Sequence, residues 1–192
     1  MNEFDVHQKA RDIAYALGWH YPEPQDRWNA RIVNPETHAE LWIANDRGRC
    51  RISGGFGELY KYLRYERHGK NEITVNPLKT PPQIVRDIRQ RLLPDYLQDL
   101  GFCQQREAEH RARMQRIANA ALKFAAILRM TPPEVSEDES ARFHVPFCNA
   151  VYGDVQIDTQ SVDIKLTDVP FHVAAMMLVP LGGYVEQHPK EG

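Results

Sequence analysis

The amino-acid sequence predicts an α+β fold: an N-terminal helix with an antiparallel meander, long central helices, and a C-terminal three-stranded antiparallel sheet plus helix. Three observations lead to this prediction. They are a one-sided apolar stripe near the N-terminus, short alternating runs in two separate regions, and a long helical pattern between those regions. We expect an N-terminal α+β domain with a central helical block at 1–130, an acidic, proline-containing linker at 131–140, and a β-β-β-α subdomain at 141–192.

The first helix is predicted over residues 3–17, because apolar residues fall on one side of a helix with 3.6 residues per turn. These residues are Val6, Ala10, Ile13, Ala14 and Leu17. Gly18 follows at the position where a C-terminal cap belongs. Pro22 and Pro24 cannot continue a helix, so a loop comes next.

Alternating apolar and polar residues then predict short antiparallel strands separated by turn-forming residues. Three of these strands form a meander at 29–33, 39–45 and 49–53, and a fourth is predicted at 72–76. The segment 54–70 is ambiguous, since its leucines and tyrosines suit a short helix while its first glycines suit a tight loop.

The central block begins at Thr80, which is suited to an N-cap, with Pro81 at the first helical position. Pro94 does not fit the interior of a straight helix, so we expect the helix to bend near Leu92 or to stop and restart. Gly101 predicts another break.

The helix predicted over 103–129 carries a seam of residues spaced alternately by four and three positions. The seam contains His110, Met114, Ile117, Ala121, Phe124 and Leu128. This pattern has two interpretations. The helix is either a spine that joins the two sheet regions or the seam of a homodimer.

The C-terminal region predicts three antiparallel strands, at 143–147, 151–157 and 162–166, with a hairpin turn at 158–161. Asp168 is then expected to cap a final helix. The inward side of that helix would contain Val169, Val173, Met176, Met177 and Pro180.

Composition limits the functional classes. No apolar run is long enough to span a membrane, and the polar N-terminus lacks the apolar segment of a signal peptide, so we expect a cytoplasmic protein without membrane contact. The net charge of −2 is unevenly distributed: residues 79–130 contain ten basic and five acidic residues, and residues 131–192 contain three and ten. Three widely separated cysteines predict free thiols.

No motif in the sequence specifies a reaction, a cofactor or a metal. Glu107 and His110 form one Glu-x-x-His pair, whereas a di-iron bundle needs two such pairs and two further glutamates. The cluster at Gly54–Gly57 lacks the Lys-Ser/Thr pair of a phosphate-binding loop. We therefore expect no metal and no cofactor, although an active site assembled from distant residues stays open.

The strongest candidate site is basic and aromatic. Arg47, Arg49 and Arg51 alternate along the third strand, so a regular strand would place them on one face. The segment after it interleaves aromatic and basic residues, namely Tyr60, Lys61, Tyr62, Arg64, Tyr65 and Arg67. Cations neutralise phosphates and tyrosine rings stack on bases, so this combination suits nucleic acid. The alternative is an ion-paired sheet face with tyrosines packed over the core edge.

Two further charged surfaces are predicted. A second basic strip on the central helices contains Arg86, Arg89, Arg106, Arg113 and Arg116. Acidic residues in and after the linker would mimic phosphates or simply favour solubility. They are Glu134, Glu137, Asp138, Glu139, Asp154 and Asp158.

One sequence pattern resembles a group of known proteins. It consists of Ile73-Thr74-Val75, then Ile84, Asp87-Ile88 and the run Arg91-Leu92-Leu93-Pro94-Asp95-Tyr96. This "ITV…RLLPxY" pattern is similar to one in small uncharacterised proteins of bacteriophages, prophages and other mobile elements. The resemblance covers about the first half of the chain and implies a genomic setting. Small proteins in that setting include anti-CRISPR proteins, which occlude host defence complexes.

Together, the absent catalytic motif, the segregated charge and the resemblance favour a non-enzymatic binding protein. We expect it to engage a protein or ribonucleoprotein complex, such as a CRISPR-type host defence assembly. Direct binding of nucleic acid through the basic and tyrosine-rich surface is the second hypothesis. A hydrolase or transferase with a non-local active site is the third.

Overall fold

The computed structural model describes residues 4–24, 26–136, 138–148, 151–158, 161–167 and 169. It confirms the predicted α+β fold, with an N-terminal helix, a four-stranded antiparallel sheet, a long central helix and a three-stranded antiparallel sheet. The residues group into two compact units, Met1–Glu109 and His110–Gly192. The domain boundaries drawn from composition stay a prediction about independent folding. Apart from Val169, the predicted final helix lies outside the described residues.

Helix α1, Val6–Leu17, ends at the predicted residue and begins three residues after the predicted start at residue 3. The Asp5 carboxylate accepts hydrogen bonds from the backbone N–H groups of His7 and Gln8, which would otherwise have no partner in the first turn. Gly18 ends the helix in the left-handed region with a φ of 76°, where a side chain would be strained. The apolar stripe of α1 is buried against the sheet.

The N-terminal sheet has the order β1-β2-β3-β4. Its strands are β1 at Asn29–Val33, β2 at Glu40–Asp46, β3 at Arg49–Gly55 and β4 at Glu72–Val75. Side chains alternate between an inner face, which is buried under the helices, and an outer face. One row of paired residues crosses the outer face. It consists of Arg31, Trp42, Ser53 and Glu72.

The ambiguous segment between β3 and β4 forms two 3-10 helical turns, Gly57–Tyr62 and Tyr65–Arg67. Helix α2 follows at Pro81–Asp87. Thr80 and Gln83 form a capping box at its start, as the sequence predicted for Thr80.

The chain continues from α2 through a π-helical turn, Ile88–Leu92, into helix α3, Leu93–Leu128. The wide turn ends just before Pro94, whose ring would clash with the preceding turn of a regular α-helix. The predicted irregularity near Leu92 is therefore present. The predicted break at Gly101 is wrong, because α3 runs through this residue without interruption.

Tyr96 organises the N-terminal core. Its fully buried ring lies under Gly54, where an added Cβ would come within 2.2 Å of the tyrosine ring. Its hydroxyl donates to the carbonyl of Gly55 at 2.7 Å and accepts from the N–H of Glu40 at 3.0 Å. One side chain of α3 thus holds the ends of β2 and β3 together. Burial is the main reason that the pKa of Tyr96 rises to about 12.

The second unit contains β5 at Ala141–Cys148, β6 at Val151–Ile157 and β7 at Val162–Thr167, paired antiparallel in that order. Ile117, Ala121 and Ala125 of α3 are buried with Phe143 and Val155 of this sheet. Part of the predicted helical seam therefore packs against a sheet of its own chain, and the spine interpretation stays a prediction. A homodimer through 103–129 would need another face of the helix and stays a prediction. No described helix is both long and apolar enough to span a membrane.

Candidate nucleic-acid interface

The outer face of the N-terminal sheet carries two of the three predicted strand arginines. Arg49 and Arg51 are exposed on β3, while Cys50 and Ile52 between and beyond them are buried. Arg47 instead lies in the turn that joins β2 to β3, with a φ of 52°. Its side chain is exposed, but strand alternation does not place it in line with the other two. The predicted ladder is therefore two residues long on β3.

The segment after β3 presents an aromatic cluster made of Tyr60, Tyr65 and His68. The His68 ring centroid lies 4.7 Å from that of Tyr60 and 5.6 Å from that of Tyr65. Tyr65 is 88% exposed and Tyr60 is 48% exposed. His68 covers part of the Tyr60 ring, whereas most of the Tyr65 ring is exposed and can contact a planar partner.

The neighbouring residues Lys61 and Tyr62 have a different environment. Tyr62 is half-buried and packs against the hydrophobic core. The ammonium of Lys61 lies 5.1 Å from the centroid of that ring, within range of a cation–π interaction. The two interpretations of the tyrosines therefore apply to different residues: Tyr62 covers the core edge, whereas Tyr60 and Tyr65 are exposed.

Arg67 holds the 3-10 segment against α3. Its Nε donates to Asp99 at 2.8 Å and its Nη2 contacts Asp95 at 3.1 Å. Hydrogen bonds from Arg67 to Asp99 and Asp95 raise the pKa of the guanidinium. Two carboxylates are paired with Arg67, so its positive charge is offset within the chain and its contacts are structural.

Arg64 and Arg106, from the two predicted basic sets, meet at one aromatic ring. Their guanidinium carbons lie 4.3 Å and 5.4 Å from the centroid of Phe102. Arg106 also approaches Glu109 at 3.6 Å, and both arginines are exposed. Stacking on Phe102 restrains these long side chains, which lowers the conformational entropy lost when an anion binds.

The other members of the second basic strip have separate surroundings. Arg86 and Arg89 are exposed and border an open pocket of about 510 Å³ beside Ala16 and Val85. Arg113 makes hydrogen bonds to both carboxylate oxygens of Glu139. Arg116 is exposed on α3.

The acidic surface of the second unit is not purely acidic. Asp154 stands between His144 and Lys165 across the sheet, and Gln156 stands beside Arg142. The carboxylate of Glu139 is engaged by Arg113 and His110, and these contacts lower its pKa. Alternating positive and negative side chains resemble a phosphate backbone poorly, so this face supports the solubility interpretation better than phosphate mimicry.

A pocket of about 320 Å³ lies where the outer face of the sheet meets the 3-10 segment. Its walls include the aromatic residues Trp42, Phe56 and Tyr60. Polar lining residues are Ser53, Arg67, Asn71 and Glu72. Our sequence analysis missed Trp42, Ser53 and Asn71. The alternation of β2 contained a signal for Trp42, because buried Leu41 and Ile43 on either side of it require that it point outward.

The described residues hold no group of three or more His, Cys, Asp or Glu side chains that could bind a metal ion. Cys50 and Cys103 are buried, and burial raises the pKa of the Cys50 thiol to about 11, which disfavours a reactive thiolate. Comparison of the chain with protein family models, with curated proteins and with solved structures gives no match.

Proposed function

We propose that this protein binds single-stranded nucleic acid, free or held in a nucleoprotein, through an aromatic-basic surface on its N-terminal unit. We define this surface by Trp42, Arg49, Arg51, Tyr60, Arg64 and Tyr65. The observation that carries the proposal is the exposure of the Tyr60 and Tyr65 rings in the segment that directly follows the strand bearing Arg49 and Arg51.

Single strands suit this surface better than a duplex. Base–aromatic stacking contributes about 1–3 kcal/mol per base, and it requires bases that are not already stacked in a double helix. The residues that define this surface include three exposed cations: Arg49 and Arg51 on β3 and Arg64 on Phe102. If these three neutralise three phosphates, the logarithm of affinity falls with the logarithm of salt concentration with a slope of about −2. We therefore expect moderate affinity that depends on both stacking and charge.

The test is fluorescence anisotropy with labelled single strands of mixed sequence, about 15 nucleotides long, at about 50 mM and 200 mM salt. Arg49→Glu with Arg51→Glu should weaken binding at least tenfold and flatten the salt dependence. Tyr65→Ala should weaken binding by about tenfold and leave the salt slope unchanged, because the ring contributes stacking and not charge.

The chain offers matched controls outside this surface. Tyr15 on α1 is 91% exposed, and Arg116 on α3 is exposed. Tyr15→Ala and Arg116→Glu should each change the affinity less than twofold, since neither belongs to the surface. The proposal fails if the wild-type protein binds no strand at low salt, or if the controls lose as much affinity as the surface variants.

We also propose a biological setting for this binding, which the sequence resemblance to mobile-element proteins supports. The bound nucleic acid would belong to a host defence complex such as a CRISPR-type assembly, with the protein acting by binding alone. Within the motif, Ile73, Ile84, Ile88, Leu92 and Tyr96 are buried, so these residues belong to the core of the N-terminal unit and not to the proposed binding surface. Phage survival should rise in restricting cells that express the wild-type chain, and not in cells that express the Arg49→Glu, Arg51→Glu variant. Equal phage survival with and without the wild-type chain would refute this setting.

A further inference from the structure

We propose that the pocket beside Trp42 accepts one base and selects adenine or cytosine, whose amino group lies at C6 of the purine or C4 of the pyrimidine, over thymine, uracil and hypoxanthine. This inference rests on the proposed function and names what the surface recognises. The geometry points to Asn71 as the residue that reads the base.

Asn71 carries an unpaired acceptor. The residue is only 6% exposed, and its Oδ1 is shielded from solvent without a hydrogen-bond partner among the described residues. A buried polar atom without a partner is costly, and native structures contain few of them. Asn71 also lines the pocket, so a ligand there that reaches this atom after a shift in the pocket wall would supply the missing donor.

The orientation of the Asn71 amide follows from its other contact. The Nδ2 donates to Asp99 Oδ2 at 2.8 Å, and a second donor to that oxygen is Nε of Arg67. A carboxylate paired with Arg67 accepts hydrogen bonds and donates none, so flipping the amide would set two oxygen acceptors against each other. The Arg67–Asp99–Asn71 network therefore fixes the unpaired atom as an acceptor that requires a donor from the ligand.

The pocket has the size and walls for one planar ring system. Its volume of about 320 Å³ is at the lower end for ligand sites. Trp42, Phe56 and Tyr60 supply aromatic walls, and Ser53 and Glu72 stand at the sheet side. The Oδ1 is covered without a ligand, so contact requires a side-chain shift in the wall, a common change at binding surfaces.

Amino-bearing bases fit this chemistry because Asn71 Oδ1 is an acceptor and the Glu72 carboxylate adds a second one at the rim. The exocyclic amines of adenine and cytosine donate, whereas thymine, uracil and hypoxanthine present a carbonyl oxygen at the same ring position. Thymine, uracil and hypoxanthine carry one ring N–H beside that oxygen, which can pair with only one of the two acceptors, whereas an exocyclic amine has two N–H groups and can pair with both. Discrimination between bases therefore comes mainly from the free-energy cost of the acceptor that the wrong base leaves unpaired.

The test measures the affinity of the full chain for thymidine strands of about 15 nucleotides that carry one central substitution. The central base is thymine, adenine, cytosine or hypoxanthine, and the all-thymidine background keeps self-stacking low. We expect adenine and cytosine to bind about tenfold more tightly than thymine and hypoxanthine. Adenine against hypoxanthine is the matched pair, because these purines share one ring skeleton and differ at C6, where an oxygen replaces the amine, and at the adjacent N1, which carries a proton in hypoxanthine.

Asn71→Leu should reduce the adenine-to-hypoxanthine ratio of affinities from about ten to about one. Circular dichroism checks that this variant folds. Ser53→Phe is the second variant, since it fills the pocket from the outer face and leaves the Asn71–Asp99 hydrogen bond intact. It should also reduce the adenine-to-hypoxanthine ratio of affinities to about one. Asn119→Leu changes an exposed asparagine of α3 and should preserve it.

The outcomes separate this inference from the function on which it rests. Binding of all four strands with equal affinity overturns base selection and leaves single-strand binding standing. A preference for adenine that survives both Asn71→Leu and Ser53→Phe places recognition elsewhere and also overturns the inference. Failure of every strand to bind overturns the proposed function and this inference together.

Discussion

The two sheets of this chain differ in how completely other elements cover their apolar faces. In the N-terminal unit, helices cover the inner face across all four strands, including Val75 on β4, which is 2% exposed. Among the described residues of the C-terminal unit, α3 covers β5 and β6, while Val162 and Ile164 of β7, which lie on the core face, are 41% and 58% exposed. One completely covered face makes a rigid platform, and its other face is then free to carry a binding site.

The largest expected effect is at Tyr96, the residue on which the N-terminal platform depends. Tyr96→Ala should lower the free energy of unfolding by about 3–5 kcal/mol, because it leaves a large cavity and removes two hydrogen bonds. Urea unfolding followed by tryptophan fluorescence measures this, since Trp19, Trp28 and Trp42 all lie in the N-terminal unit.

Tyr96→Phe is the matched variant, because it keeps the ring and removes only the hydroxyl. It should cost about 1–2 kcal/mol, since the Glu40 N–H and the Gly55 carbonyl lose their partner. Equal losses in the two variants would show that the hydroxyl, and not ring packing under Gly54, holds the strands.

The next prediction compares a buried and an exposed apolar residue of the C-terminal unit. Ile117→Ala should cost about 2–4 kcal/mol, because Ile117 is 1% exposed against the sheet. Ile164→Thr should change stability by about 0.5 kcal/mol or less, as expected for a largely exposed position. Far-UV circular dichroism is the appropriate signal, since all three tryptophans lie in the other unit. A loss at Ile164 as large as that at Ile117 would contradict the comparison.

Much of the fold was predictable because local rules and burial agree. The αL cap at Gly18, the capping box at Thr80 and the alternation of all seven strands depend on residues close in sequence. The break predicted at Gly101 is wrong because a glycine in a helix costs only about 1 kcal/mol. The packing of the buried residues Leu100 and Cys103 offsets this cost. Local propensity gave way there to tertiary contacts.

The candidate site was predictable only in part, and the reason is pairing at a distance. The sequence shows that Arg67 and Arg113 are basic, but not that Asp99 and Glu139 neutralise them from 32 and 26 residues away. The same holds for Asn71, whose importance comes from the carboxylate that fixes its amide. The outward positions of Arg49 and Arg51 were predictable because strand alternation is a local property, whereas the exposure of Tyr65 depends on tertiary packing.

The smallest expected effect is the acid sensitivity that Glu139 gives to the C-terminal unit. Hydrogen bonds from Arg113 and then His110 hold the pKa of Glu139 below its usual 4.5. In the unfolded chain this carboxyl binds its proton near that usual value, so its contribution to stability is complete above that pH and is lost as the pH falls through the folded pKa. Glu139→Gln should therefore lower the urea midpoint at about pH 6, and the difference from wild type should shrink toward about pH 3. Glu134→Gln, which changes an exposed acid in the same region, should leave the midpoint unchanged at both pH values. A difference that persists or grows in acid would mean that Glu139 acts through packing and not through its charge.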